Sequence, residues 1–172
     1  KRYIKGTNTL WWESFSEFMQ NTISTEAFIA RIFTDSAYAE TVCKPLKFMR
    51  DLYYVAVHFH GTDQCDVSLA DAFTEDEIKA LWECDNAKYY MERGPGINPV
   101  YPSEQYGVYV LEDFIGRAVE DLAQDRPMVR LRFGHDGCMM VLYTVMGLPG
   151  WSDPAKDYAD IKNVWHNYDV PM

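Results

Sequence analysis

Basic residues are in short supply: 16 Lys and Arg face 26 Asp and Glu, for a formal net charge of −10 over 172 residues. That balance argues against a nucleic-acid or anionic-membrane surface, since either partner attracts the opposite sign. No apolar run approaches the length that spans a bilayer, and no signal-like segment opens the chain. Its first residue is Lys1 rather than Met, so a processed or excised piece of a longer protein is expected. Cysteine and histidine are scarce, with four of each. Cys43, Cys65, Cys84 and Cys138 form no C-x-x-C pair and have no zinc-like spacing. They do not make a disulfide scaffold, leave room for one or two bridges, and do not fix the compartment. Repeats and low-complexity tracts are missing too. Neither a cofactor nor a metal ion is expected.

What is present is apolar and helical. Hydrophobic residues make up 48% of the chain, enough for a real core in one globular piece. Leu10–Met19 carries Trp11, Phe15, Phe18 and Met19 at helical spacing, and Thr25–Phe33 is a second short helix candidate. Pro45 suits the first turn of a helix carrying Leu46, Met49, Leu52, Tyr53, Ala56 and Val57, with Gly61 as its stop. Thr74-Glu75-Asp76-Glu77 is a capping box, opening a helix that buries Ile78, Leu81, Trp82 and Tyr89 and ends before Gly94. The glycines and prolines of "RGPGINPVYP" make a loop. From Pro102 a long amphipathic helix should carry Val108, Leu111, Phe114, Ile115, Ala118, Val119 and Leu122 on one side, ending at Gln124-Asp125-Arg126-Pro127. Only Met128–Phe133 reads as a strand, and a helix from about Asp136 to Met146 follows it. The tail from Trp151 to Met172 has no clear pattern. A lone strand cannot satisfy its own backbone groups. Its partners must be weak strands, a second copy of the chain, or residues outside this sequence.

The stretch that carries chemistry is "VRLRFGHDGCMMVLYTVMGLPGW". Gly134 permits a sharp turn or a close ligand. His135 and Asp136 then stand at a helix start, where free N–H groups and the helix dipole attract anions. An imidazole there can donate to a phosphate, and a carboxyl group can pass a proton to a leaving group. The plainer alternative makes Asp136 an N-cap and His135 a surface residue. Other constellations read as structural. The two histidines of His58-Phe59-His60 point about 200° apart on a helix and suit a surface or capping role better than a metal. Trp11-Trp12 and Tyr53-Tyr54 suit packing, and Cys138 reads as a buried spectator.

Phe133-Gly134-His135-Asp136, with Met146-Gly147-Leu148 closing the following helix, resembles the second active-site motif of the histidine acid phosphatases. The branch it looks most like contains the multiple inositol polyphosphate phosphatases and bacterial phytases. "FTEDEIKALWECDNAKYYMERGPG" and "VWHNYDVPM" are similar to segments flanking that motif in the family. The resemblance implies that His135 contacts the transferred phosphate and that Asp136 is the general acid. Arg132, two residues before Gly134, is the candidate substrate contact, with a place along a sheet edge as its alternative. Arg130 and Arg93 are read as making no substrate contact.

The family opens with Arg-His-Gly-x-Arg-x-Pro, which supplies the nucleophilic histidine and a phosphate clamp. No Arg in this sequence precedes a His, and His58, His60, His135 and His166 all lie in other contexts. The expectation is therefore a fragment of a mainly α fold. Residues 1–127 would be a helical insert or cap, and residues 128–172 a strand-turn-helix piece of an α/β core. By resemblance, its parent is an exported, phytase-like phosphomonoesterase acting on a phosphorylated small molecule, plausibly an inositol polyphosphate. Its partner would be the missing N-terminal half or another copy, with no nucleic acid and no membrane. The competing expectation is a non-catalytic helical binding domain.

Overall fold

The computed structural model describes residues 11–59, 69–97, 104–124 and 126–166. The fold is mainly α. Helices run α1 Trp12–Thr22, α2 Glu26–Ile32, α3 Ser36–Val42, α4 Pro45–Phe59, α5 Glu75–Arg93, α6 Glu104–Leu122, α7 Asp136–Val145 and α8 Ile161–Val164. Leu10, His60, Gly61, Cys65, Pro102, Asp125 and the end of the tail, from residue 167, lie outside the described residues. Among the described residues no helix is long and apolar enough to cross a membrane.

Local chemistry accounts for several boundaries. Pro45 opens α4, where its missing N–H costs nothing. The capping box before α5 closes in both directions: Thr74 N–H donates to Glu77 Oε2 at 2.8 Å, and Glu77 N–H to Thr74 Oγ1 at 3.2 Å. α3, absent from the sequence reading, is capped by Asp35, whose side chain accepts from Tyr38 N–H at 2.9 Å. The end of α7 is a complete Schellman motif. Gly147 takes φ +67°, its N–H donates to Thr144 O at 3.1 Å, and Leu148 N–H donates to Tyr143 O at 3.2 Å.

The chain divides within α5: residues up to Asp85 belong to one compact unit, and residues from Asn86 belong to a second. In the first unit, Phe28 stacks on Phe73 at 5.1 Å and packs against Phe48, while Tyr53 meets Phe73 edge-on. Asp85 is buried there, accepting from Tyr54 Oη at 2.7 Å with Arg50 Nη2 at 3.5 Å. Burial first, and then the Asp85 charge, push the Tyr54 hydroxyl well above its ordinary pKa. The same two causes push the Cys84 thiol up to about 12, so it stays protonated at neutral pH.

The second unit takes its aromatic core from the tail, which the sequence left unread. Trp165, fully buried, meets Tyr90 at 5.7 Å and Trp151 at 5.0 Å, both edge-on. Asn86 Nδ2 donates to Trp165 O at 2.8 Å, and Tyr90 Oη accepts from Ala155 N–H at 2.8 Å. α6 packs on α7 through Gly107, where a Cβ would lie 2.7 Å from both Val141 O and Val145 Cγ2. Both helices therefore belong to one unit, whereas the sequence reading separates them at residue 127/128.

One expectation is corrected. Among the described residues there is no strand. Residues 128–134 are irregular and form no backbone hydrogen bond with another described residue, so nothing supplies the pairing that a strand requires. The apolar side of α6 is only partly covered: Leu111 and Phe114 are half-buried, and Val108, Ile115, Val119 and Leu122 are exposed.

Candidate active site at the start of α7

α7 begins at Asp136 because the backbone leaves extended geometry there: His135 is its N-cap, at φ −87° and ψ 158°. The His135 carbonyl accepts the first helical bonds, from Cys138 N–H at 3.0 Å and Met139 N–H at 3.3 Å. Its imidazole makes no capping bond, so this side chain does not serve the helix start. His135 and Asp136 are both exposed, and Asp136 adds a carboxylate to the first turn. The Gly137 N–H finds no acceptor among the described residues. An unpaired N–H in the first turn, with the positive end of the helix dipole behind it, favours an anion.

The third group at this turn is Arg93, at the end of α5. A Cβ at position 137 would lie 3.4 Å from Arg93 Nε and 3.6 Å from Cζ, so the guanidinium rests against bare glycine. Arg93 Nε is buried and has no hydrogen-bond partner. The backbone of Arg93 is tied to α7 as well, its carbonyl accepting from Thr144 Oγ1 at 3.2 Å. The sequence reading gave Arg93 no part in the site; its guanidinium is packed against α7. Sequence alone could have flagged it only through Gly137, the small residue that admits it.

Arg132 is not brought to this turn by any contact. Its guanidinium pairs with Asp113 and lies over the Phe114 ring at 4.8 Å to the centroid, both on α6. Arg130 is similarly held, bidentate on Asp121 at 2.6 and 2.7 Å. That bond is the main cause holding the Asp121 carboxyl below its ordinary pKa. Cys138 is exposed, not the buried spectator expected. His58 is exposed with Nδ1 2.6 Å from Tyr54 O, a bond to its own helix. His166 is exposed, and His60 lies outside the described residues.

The arrangement gathers a hydrogen-bonding imidazole, a carboxyl group, a free amide and a guanidinium at one helix start. That set suits a phosphoryl or other compact anion with a protonatable leaving group. Among the described residues no hydrogen bond or ion pair joins a second histidine to His135. No protein-family model matches this chain, and no curated protein matches it.

Proposed function

We propose that this chain carries the acid half of a phosphomonoesterase site. His135 and Arg93 hold the phosphate, and Asp136 protonates the leaving alcohol. The observation that supports this most is the pairing of an uncapped His135-Asp136 helix start with Arg93 laid against Gly137. The similarity of Phe133-Gly134-His135-Asp136 to the histidine acid phosphatase motif points the same way and suggests inositol polyphosphates as the substrate class. In this reading the phosphoryl group passes to a histidine outside these 172 residues. The P–O bond breaks as a P–N bond forms, and the Asp136 proton goes to the departing oxygen. Water then attacks phosphorus as the P–N bond breaks and the histidine is freed, and Asp136 recovers its proton from that water. A phosphate dianion beside Asp136 favours the protonated carboxyl that the first step needs.

Two assays test this. The chain alone should release no phosphate from inositol hexakisphosphate or from an aryl phosphate beyond a His135→Ala control, because nucleophile and clamp are missing. Turnover above that control would place a nucleophile inside the chain and overturn the division of labour. Joined to a segment that supplies the nucleophile, Asp136→Asn should slow alkyl phosphate hydrolysis far more than aryl phosphate hydrolysis, which needs little protonation. Equal losses would remove the acid role.

The absence of an Arg-His pair favours a second reading, a non-catalytic helical domain that binds phosphorylated ligands at the same turn. It predicts binding with no activity under any complementation.

A further inference from the structure

The stretch Val129-Arg130-Leu131-Arg132-Phe133 divides its side chains cleanly. Both arginines turn to α6, Arg130 to Asp121 and Arg132 to Asp113, so the segment runs back along that helix. The alternate residues face away: Val129 is 81% exposed, Leu131 76% and Phe133 93%. That is strand-like alternation, with the polar face paired to α6 and the apolar face bare. Together the three side chains present roughly a few hundred Å² of apolar surface, near the limit that a monomer ordinarily leaves in one patch. The backbone of residues 128–134 bonds to no other described residue, so its N–H and C=O groups are open to pairing.

The pattern reads the same in both directions about Leu131: apolar, basic, apolar, basic, apolar. We propose that residues 129–133 pair as an antiparallel strand with the same segment of a second copy, about a two-fold axis at Leu131. In that register Leu131 faces its own mate, and Val129 faces Phe133 of the second copy, an aliphatic–aromatic cross-strand pair. A slip of one residue would set apolar side chains against the arginine face, so the pattern selects the centred register. Arg130 falls opposite Arg132 of the second copy, where like charges ordinarily oppose pairing. Here each arginine is already neutralised by its own aspartate on α6, so two ion pairs meet instead of two cations. Such a self-complementary edge is what a closed two-fold dimer requires. The proposal does not rest on the phosphatase reading, and an inactive chain would pair equally well.

Sedimentation equilibrium over micromolar to submillimolar concentrations tests the assembly, and cysteine cross-linking tests the register. The parent chain should reach twice its monomer mass with rising concentration. Leu131→Asp should stay monomeric with unchanged far-UV circular dichroism, its side chain being exposed. Under mild oxidation Leu131→Cys should form a disulfide-linked dimer several times faster than the parent chain. Val129→Cys should link quickly only when mixed with Phe133→Cys. A parent chain monomeric throughout, a dimer indifferent to Leu131→Asp, or equal cross-linking at positions 129 and 131 would each overturn the proposal.

Discussion

α5 and α6 are each nineteen residues long, and they end up in opposite situations. α5 is the more polar by sequence, yet Leu81, Trp82, Cys84, Asp85, Asn86, Ala87 and Tyr90 are all buried along its middle. α6 carries the cleaner apolar stripe, yet Val108, Ile115, Val119 and Leu122 face outward. Apolar periodicity states which face of a helix prefers to be covered. Whether a partner is at hand is a tertiary fact. α5 can place polar groups inside because each finds a partner: Asp85 bonds Tyr54 and Arg50, and Asn86 bonds Trp165 O. α6 spends one face on α7, through Gly107, and another on the two arginine pairs, leaving much of its stripe exposed.

The sharpest way to break this contrast is at Asp85. Asp85→Ala should cost about 3 kcal/mol or more in urea unfolding, because it strands the Tyr54 hydroxyl and the Arg50 guanidinium. Asp85→Asn, which keeps an acceptor for Tyr54, should cost visibly less. Next comes a matched pair of leucines. Leu81→Ala should destabilise by about 2–5 kcal/mol, as core truncations do. Leu122→Ala, at 86% exposure, should stay within about 0.5 kcal/mol. Equal losses would mean that the α6 stripe is covered in solution.

Gly107→Ala probes the one face of α6 that is closely packed. A Cβ there meets the Val141 carbonyl and the Val145 side chain, so overpacking should cost about 1–3 kcal/mol. The corresponding change at Gly116, where a Cβ would meet nothing, should be neutral or slightly stabilising through helix propensity.

The smallest expected effect is one of pH, at the start of α5. Burial tends to raise the Glu77 carboxyl, but its bonds to Arg31 and to the Thr74 N–H outweigh that and leave its pKa below the ordinary 4.5. The folded pKa lies below the unfolded one. The stabilisation is therefore complete above pH 4.5 and is lost as pH falls through the folded value. Glu77→Gln should flatten the acid limb of a stability-versus-pH curve, lowering stability at pH 7 and changing little at low pH, where Glu77 is already protonated. An unchanged acid limb would remove Glu77 from the account.

Signals confined to a few adjacent residues were legible in the sequence. The Thr74–Glu77 box, Pro45 at the first turn of α4, and the helix starting at Asp136 all depend on neighbours in the chain. The stop at Met146-Gly147-Leu148 does so as well. What depends on distant residues was not legible. Trp151 and Trp165 anchor the second unit from a tail with no periodicity, because they are held by Tyr90 and Tyr143 rather than by elements of their own. α3 was missed because seven residues with only Ala39 buried leave almost no pattern. Met128–Phe133 has the alternation of a strand but no strand partner among the described residues. Within the candidate site, His135 and Asp136 stand at a helix start as read. Arg132 is engaged on α6, and Arg93 reaches the turn through a tertiary approach that only Gly137 hinted at.

The claim that the start of α7 is an anion site with Arg93 as its cation can be tested without any nucleophile. Titration of the ¹⁵N-labelled chain with inorganic phosphate and with inositol hexakisphosphate should shift the amide signals of His135, Asp136 and Gly137 and the Arg93 Nε–H signal together, on one saturating curve. Arg93→Ala should weaken that binding at least tenfold without altering the fold. Shifts at other surfaces only, or a curve that Arg93→Ala leaves unchanged, would contradict it.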